Sequence, residues 1–185
     1  MLKRFLGFAA VTLALTGAAA AQDWKAMTFS DLLQPSAATP QMAQIWADVI
    51  DSNNRYFRET LKEERFMKGN APAQFLSHTF TEGAEQITVS LISVARDCDG
   101  GANSFSSTDL HSICPVRVTV TGPQGTKTTR SKACFLYAYQ DVPDAPDPRT
   151  NATFVAYDEK QGAVTIRALR NGRPVRDCTT TMKIR

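Results

Sequence analysis

The stretch CDGGANSFSSTDLHSIC, from Cys98 to Cys114, holds two of the chain's four cysteines and one of its two histidines, His111, with Asp99 and Asp109 and a Gly-Gly pair. Three chemistries compete for such a set. A metal centre would use His111 and Cys114, spaced H-x-x-C, with Asp97, Asp99 or Asp109 beside them. Zinc asks for four ligands, or three and a water, in recognisable pairs. The chain has no C-x-x-C, and its other histidine, His78, lies far upstream. The segment DCDGGAN opens like an acidic calcium loop but lacks the third acidic position and the closing glutamate. A cysteine nucleophile, Cys114 beside His111 or Cys134 in KACFLY, would need a lowered thiol pKa and a base within reach. Disulfide formation would remove either thiol. The expectation is therefore no metal, no cofactor and no catalytic residue.

The remaining chemistry is a staple. Cys98, Cys114, Cys134 and Cys178 all lie in the second half of the chain, and an even number in an exported protein is most economically two disulfides. Pairing Cys98 with Cys114 closes a polar loop whose apolar residues are Phe105, Leu110 and Ile113, and leaves Cys134 with Cys178. Such a bridge contributes about 3 kcal/mol by the chain-entropy account. The competing pairing, Cys98 with Cys178 and Cys114 with Cys134, would tie strand ends across a sheet. The first is favoured because it leaves no large polar loop loose.

Hydrolytic motifs such as G-x-S-x-G, S-x-x-K and H-E-x-x-H are absent, as is a glycine-rich phosphate loop. A carboxylate pair for glycoside chemistry needs only spatial proximity, so spacing cannot reveal one. Recognition is the other lead. Tyr137 and Tyr139 fall on one face of FLYAYQ with Phe135 in register, and Phe154 and Tyr157 follow in the next strand segment. Burial in the core is the ordinary fate of such rings, but a tyrosine face also suits a partner. Between Lys160 and Arg185 seven basic residues, including Arg167, Arg173 and Arg176, stand against Asp177 alone, and DVPDAPDP upstream carries Asp141, Asp144 and Asp147. Guanidinium groups suit carboxylates and sulfated sugars. The candidate partner-binding set is thus Asp99, Asn103, Phe105, Asp109 and His111 in the loop, with Tyr137, Tyr139, Arg167, Arg173 and Arg176.

Several elements must position these residues. Residues 23–38 suggest a short helical turn before Pro35. From Thr39, an N-cap followed by Pro40 at the first helical position, the residues Met42, Ile45, Trp46, Val49, Asn53, Tyr56, Phe57 and Leu61 share a stripe at helical spacing. The spacing predicts a helix over about 40–68, ended by Gly69. The segment APAQFLSHTFTEGAEQ is expected as a short helix or loop. A strand-rich part over 86–185 follows. ITVSLISVAR is apolar on much of both faces, as a central strand would be. Val116, Val118 and Val120 point inward against Arg117, Thr119 and Thr121, and Asn171-Gly172 marks a hairpin. The fold class is α+β: one long helix on a curled antiparallel sheet of five or six strands. A small β-barrel with an external helix is the alternative.

The chain begins MLKRFLGFAAVTLALTGAAAAQDW, with the basic start, apolar core and small-residue end of a cleaved secretory signal over 1–21. Residues 22–185 then form one domain. With Lys3 and Arg4 removed, 19 of 21 basic residues face 18 acidic ones. That balance argues against nucleic acid, and no later segment is apolar enough to span a membrane. The expectation is a periplasmic or secreted, non-enzymatic binding or inhibitory domain acting on an envelope or extracellular protein or glycan. A structural envelope component and an enzyme with scattered residues are the alternatives.

Overall fold

The computed structural model describes residues 22–99, 111–137 and 147–185. Strands β1 (Lys25–Ala26) and β2 (Thr28–Asp31) lead into helices α1 (Thr39–Ile45) and α2 (Ala47–Arg55), a π-helical turn (Tyr56–Thr60) and a 3-10 turn (Glu64–Phe66). Seven strands follow: β3 (Gln74–Glu82), β4 (Glu85–Ser93), β5 (His111–Gly122), β6 (Gly125–Leu136), β7 (Ala152–Asp158), β8 (Ala163–Arg170) and β9 (Arg173–Lys183). They form two antiparallel sheets, of order β1-β7-β8-β9 and β2-β3-β4-β5-β6. The structure is thus mostly sheet with short helices, and the single five- or six-stranded sheet expected above is replaced by two.

Alternation explains how the sheets meet. Leu76, Ile87, Val89, Leu91, Val116 and Val118 of the five-stranded sheet pack with Val155, Val164, Ile166 and Met182 of the four-stranded one in a single core. Residues 25–31 serve both sheets: β1 pairs with β7, β2 pairs with β3, and buried Met27 sits at the crossing with its N–H on the Thr153 carbonyl. Residues 25–31 are therefore extended, where a helical turn was expected within 23–38, because both sheets offer them an open edge. At the other side the Thr153 hydroxyl bonds the Leu136 N–H and the Cys134 carbonyl, holding the end of β6 against β7.

The helical segment covers the outer face of the five-stranded sheet, where Met42, Trp46 and Ile50 pack on Ala73, Phe75, Ile92 and Val94. Burying each such side chain contributes about 1.5–3 kcal/mol. The expected helix over 40–68 is in fact broken. At Trp46 the Val49 N–H turns to the Trp46 carbonyl, and the freed Ile45 carbonyl accepts a bond from the Arg117 guanidinium of β5. A side chain inserted into the helical ladder is a recognised cause of a kink. Further on, Asn54 accepts the Ala71 N–H (2.7 Å) and donates its amide N–H to Asn70 Oδ1 (3.0 Å), and Phe57 meets Phe66 edge-on. These contacts draw the chain out of the helix after Thr60.

Residues 71–86, expected as a short helix or loop, hold β3. Phe75 faces the helices and Leu76 the core, so both faces of the strand have something to bury against. The hairpin to β4 turns at Gly83, whose φ of +57° suits glycine. Strand structure accordingly begins well before residue 86. The Asn171-Gly172 hairpin joins β8 to β9 as the sequence suggests, with both residues at positive φ.

Candidate binding groove

Two disulfides, Cys98–Cys114 and Cys134–Cys178, follow the favoured pairing. The second joins β6 to β9, one strand from each sheet. Paired disulfides are consistent with an oxidising extracellular or periplasmic location. Cys98–Cys114 closes the root of the polar loop, where Asp99 bridges to Ile113 through two backbone hydrogen bonds and its carboxylate pairs with Lys132 of β6. Asn103, Phe105 and Asp109 lie outside the described residues, as does Tyr139.

The remaining candidates occupy different places. Tyr137 stacks on Phe29, ring centroids 3.9 Å apart. Arg167 stands on the outer face of the four-stranded sheet, 3.7 Å over the Trp24 ring. Arg173 lies directly across from Arg170 at the β8–β9 turn and lines a shallow hollow there, and Arg176 is exposed on β9. His111 opens β5, with its Nδ1 buried and without a partner among the described residues. Donor atoms of His111, Cys134 and Cys178 lie within 4.8 Å of one another. Both sulfurs are bonded to each other, so no thiolate is available to a metal there.

The best-built concavity lies elsewhere, on the outer face of the five-stranded sheet beside α1. The register aligns polar residues in rows across four strands. One row runs Thr79, Thr88, Thr119, Thr128; the next runs Thr81, Gln86, Thr121, Thr126; on the other side come Ser77, Ser90, Arg117, Arg130. Threonine suits a pleated surface, and hydroxyls on neighbouring strands pair: Thr79 with Thr88 at 3.1 Å, and Thr119 with Thr128 and Thr121 with Thr126 at 3.3 Å each. A pair uses one hydroxyl proton and leaves the other, with free lone pairs, for a ligand. Gln41, Gln44 and Ile45 of α1 overhang the β4–β6 part of these rows and enclose a groove of about 510 Å³. Thr88 and Thr119 lie buried in it, and Thr126 and Thr128 are exposed along β6.

Arg117 forms the wall toward the helices. It is 8% exposed, donates to both Asp48 carboxylate oxygens (2.7 and 2.8 Å), and lies 4.3 Å over the Trp46 ring. The Trp46 indole N–H is held by Ser90 Oγ at 3.0 Å. The hydrogen bond from Arg117 holds the Asp48 carboxyl below the usual carboxylate range. Arg117 Nε is buried without a partner among the described residues. Arg130, its neighbour across the ladder, is exposed. Among the described residues the groove lining includes no Asp, Glu, His, Cys, Lys or Tyr, and it offers hydrogen bonds and positive charge.

Comparison with family models, curated proteins and solved structures finds no match.

The alternation in β5 places Thr119 and Thr121 outward, and sequence alone goes no further for the groove threonines. The available signal was the repeated T-x-T of TFT (79–81), TVT (119–121) and TKT (126–128). Spacing within one strand, however, does not show which threonines stand side by side. Elsewhere, Tyr157 closes the far end of the sandwich by donating to Glu82 (2.6 Å), and burial with that bond pushes its hydroxyl up to about 12. No helix of the described residues is long and apolar enough to cross a membrane.

Proposed function

We propose that the protein is an exported, disulfide-stapled, non-enzymatic binding domain whose ligand is a glycan of the cell envelope or extracellular space. The observation that carries this reading is the groove itself. Its lining is five threonines, three glutamines, two arginines and one isoleucine, a surface of donors and acceptors without an acid–base pair. Polyols present closely spaced groups that both donate and accept, and hydroxyl and amide side chains match them on both counts. Water bridging such contacts need not weaken them. The root of the stapled loop lies on the same surface: Lys132, which pairs with Asp99, is the next residue after Arg130 on that face of β6. Export rests on the leader-like start of the chain and the two disulfides.

The test is co-sedimentation of residues 22–185 with insoluble envelope polysaccharides. Replacing Thr126 and Thr128 by valine removes two exposed hydroxyls and keeps β-branched shape. Retention is expected to fall several-fold with an unchanged unfolding midpoint. Equal retention of the double variant and the parent across the glycan panel would sink the groove as the binding surface.

A further inference from the structure

Building on the reading of the groove as a glycan site, we infer that its ligand is an acidic polysaccharide, a polyuronate or sulfated chain, and that Arg130 is the residue that reads the anionic group. Two guanidinium groups on adjacent strands, Arg117 and Arg130, stand directly opposite each other in the ladder. Like charges so placed are destabilising, and the two arginines are treated unequally. Arg117 has its charge answered by Asp48 and its plane covered by Trp46. Arg130 has no carboxylate within ion-pair distance among the described residues. The carboxylates paired with its neighbours on that face are already engaged: Asp48 by Arg117 and Asp99 by Lys132.

A carboxylate or sulfate beside Arg130 would sit in a groove with no negative charge in its lining among the described residues. Arg117 lines the same groove with its guanidinium already engaged by Asp48 and the Ile45 carbonyl, which leaves Arg130 to take the ligand's charge. Planar guanidinium binds such groups with paired, charge-assisted hydrogen bonds, about twice as strong as neutral ones. The hydroxyl rows supply the second half of the specificity. An acidic polypeptide carries the same charge but no ring hydroxyls to meet Thr126 and Thr128. Orientation follows: the acidic group lies at the Arg117–Arg130 row and the sugar hydroxyls extend toward the threonine rows.

The experiment compares residues 22–185 binding to polygalacturonate, to neutral dextran and to poly-L-glutamate by isothermal titration over a series of NaCl concentrations. The expected result is preference for polygalacturonate over both others, weakening as salt rises. Arg130→Gln is expected to lose about tenfold in polygalacturonate affinity, one charge-assisted contact, with dextran binding unmoved. Arg173→Gln, at the β8–β9 turn, is expected to behave as the parent. Equal affinity for dextran and polygalacturonate overturns the anionic inference and leaves the glycan groove standing. Equal binding of poly-L-glutamate overturns it by showing that charge alone suffices. A loss in Arg173→Gln matching that in Arg130→Gln overturns it in favour of a diffuse basic surface. Absence of binding to every glycan tested, neutral or acidic, removes the underlying functional reading itself.

Discussion

Each sheet of the sandwich carries on its outer face an arginine stacked on a tryptophan from an earlier segment of the chain, and the two pairs are built differently. On the five-stranded sheet Arg117 lies over Trp46, is paired bidentately with Asp48, and also takes the Ile45 carbonyl. Trp46 is 1% exposed, with its indole N–H bonded. On the four-stranded sheet Arg167 lies over a half-buried Trp24 at 3.7 Å, and its Nε is buried without a partner among the described residues. The first pair ties a helix to a sheet and shapes a groove. The second holds the short extended run leading into β1. A stacked cation is worth about 0.5–2 kcal/mol in either setting; what separates the two is the carboxylate and the depth of burial around the ring.

The largest test of that contrast removes the rings. Trp46→Ala should cost about 4 kcal/mol, the cost of emptying a large buried aromatic site. Trp24→Ala should cost about 1 kcal/mol, because its ring is already half in water. Urea unfolding of the two variants measures both, and equal losses would remove the distinction between an anchoring pair and a covering one.

A smaller effect should come from the carboxylate. Asp48 is largely exposed while Arg117 is nearly buried, so Asp48→Asn forfeits a screened pair and should cost about 1 kcal/mol. The folded pKa of Asp48 is depressed from 3.8. The stability it adds is therefore present above about pH 4 and is lost as pH falls through the lower, folded value. Asp48→Asn should flatten that part of the acid limb, and an unchanged profile below pH 4 would place the stabilisation in the tryptophan stack alone.

The smallest effect concerns the β1 side of the molecule. His78 of β3 packs edge-on against Phe80, and burial, aided by the charge of Lys25, depresses its pKa below 6.5. The unfolded chain takes up this proton first, so stability falls as pH drops below about 6.5 toward the folded value. His78→Gln should remove that slope between neutral and mildly acid pH, leaving the Asp48 step in place. Thermal midpoints measured from pH 7.5 to 3.5 separate the two steps.

Much of this arrangement was legible before the fold was known. Cysteine number and spacing led to the right pairing because a polar loop as long as 98–114 is costly to leave open. The Asn171-Gly172 turn and the alternation at Val116, Val118 and Val120 placed β8, β9 and the inner face of β5. The candidate set is spread over separate parts of the fold. Tyr137 stacks on Phe29, Arg167 on Trp24, and Arg173 lines a turn. Membership of a basic or aromatic run says nothing about which sheet face, or which edge, a residue will occupy. The groove was missed because alternation marked only Thr119 and Thr121 as outward and could not show which threonines of other strands stand beside them.

The sequence by itself determined the local quantities: where side chains alternate, where a chain can turn through positive φ, and which thiols a short loop brings together. Tertiary structure decided everything that depends on a neighbour. It turned Gln74–Glu82 into a strand by giving Phe75 and Leu76 a surface on each side. It broke the helical stripe at Trp46 by supplying Arg117 as a rival for the Ile45 carbonyl. It also brought threonines from four strands into common rows. Register is a relation between strands, set by the packing of the opposite face, and a chain read one residue at a time contains only half of that relation.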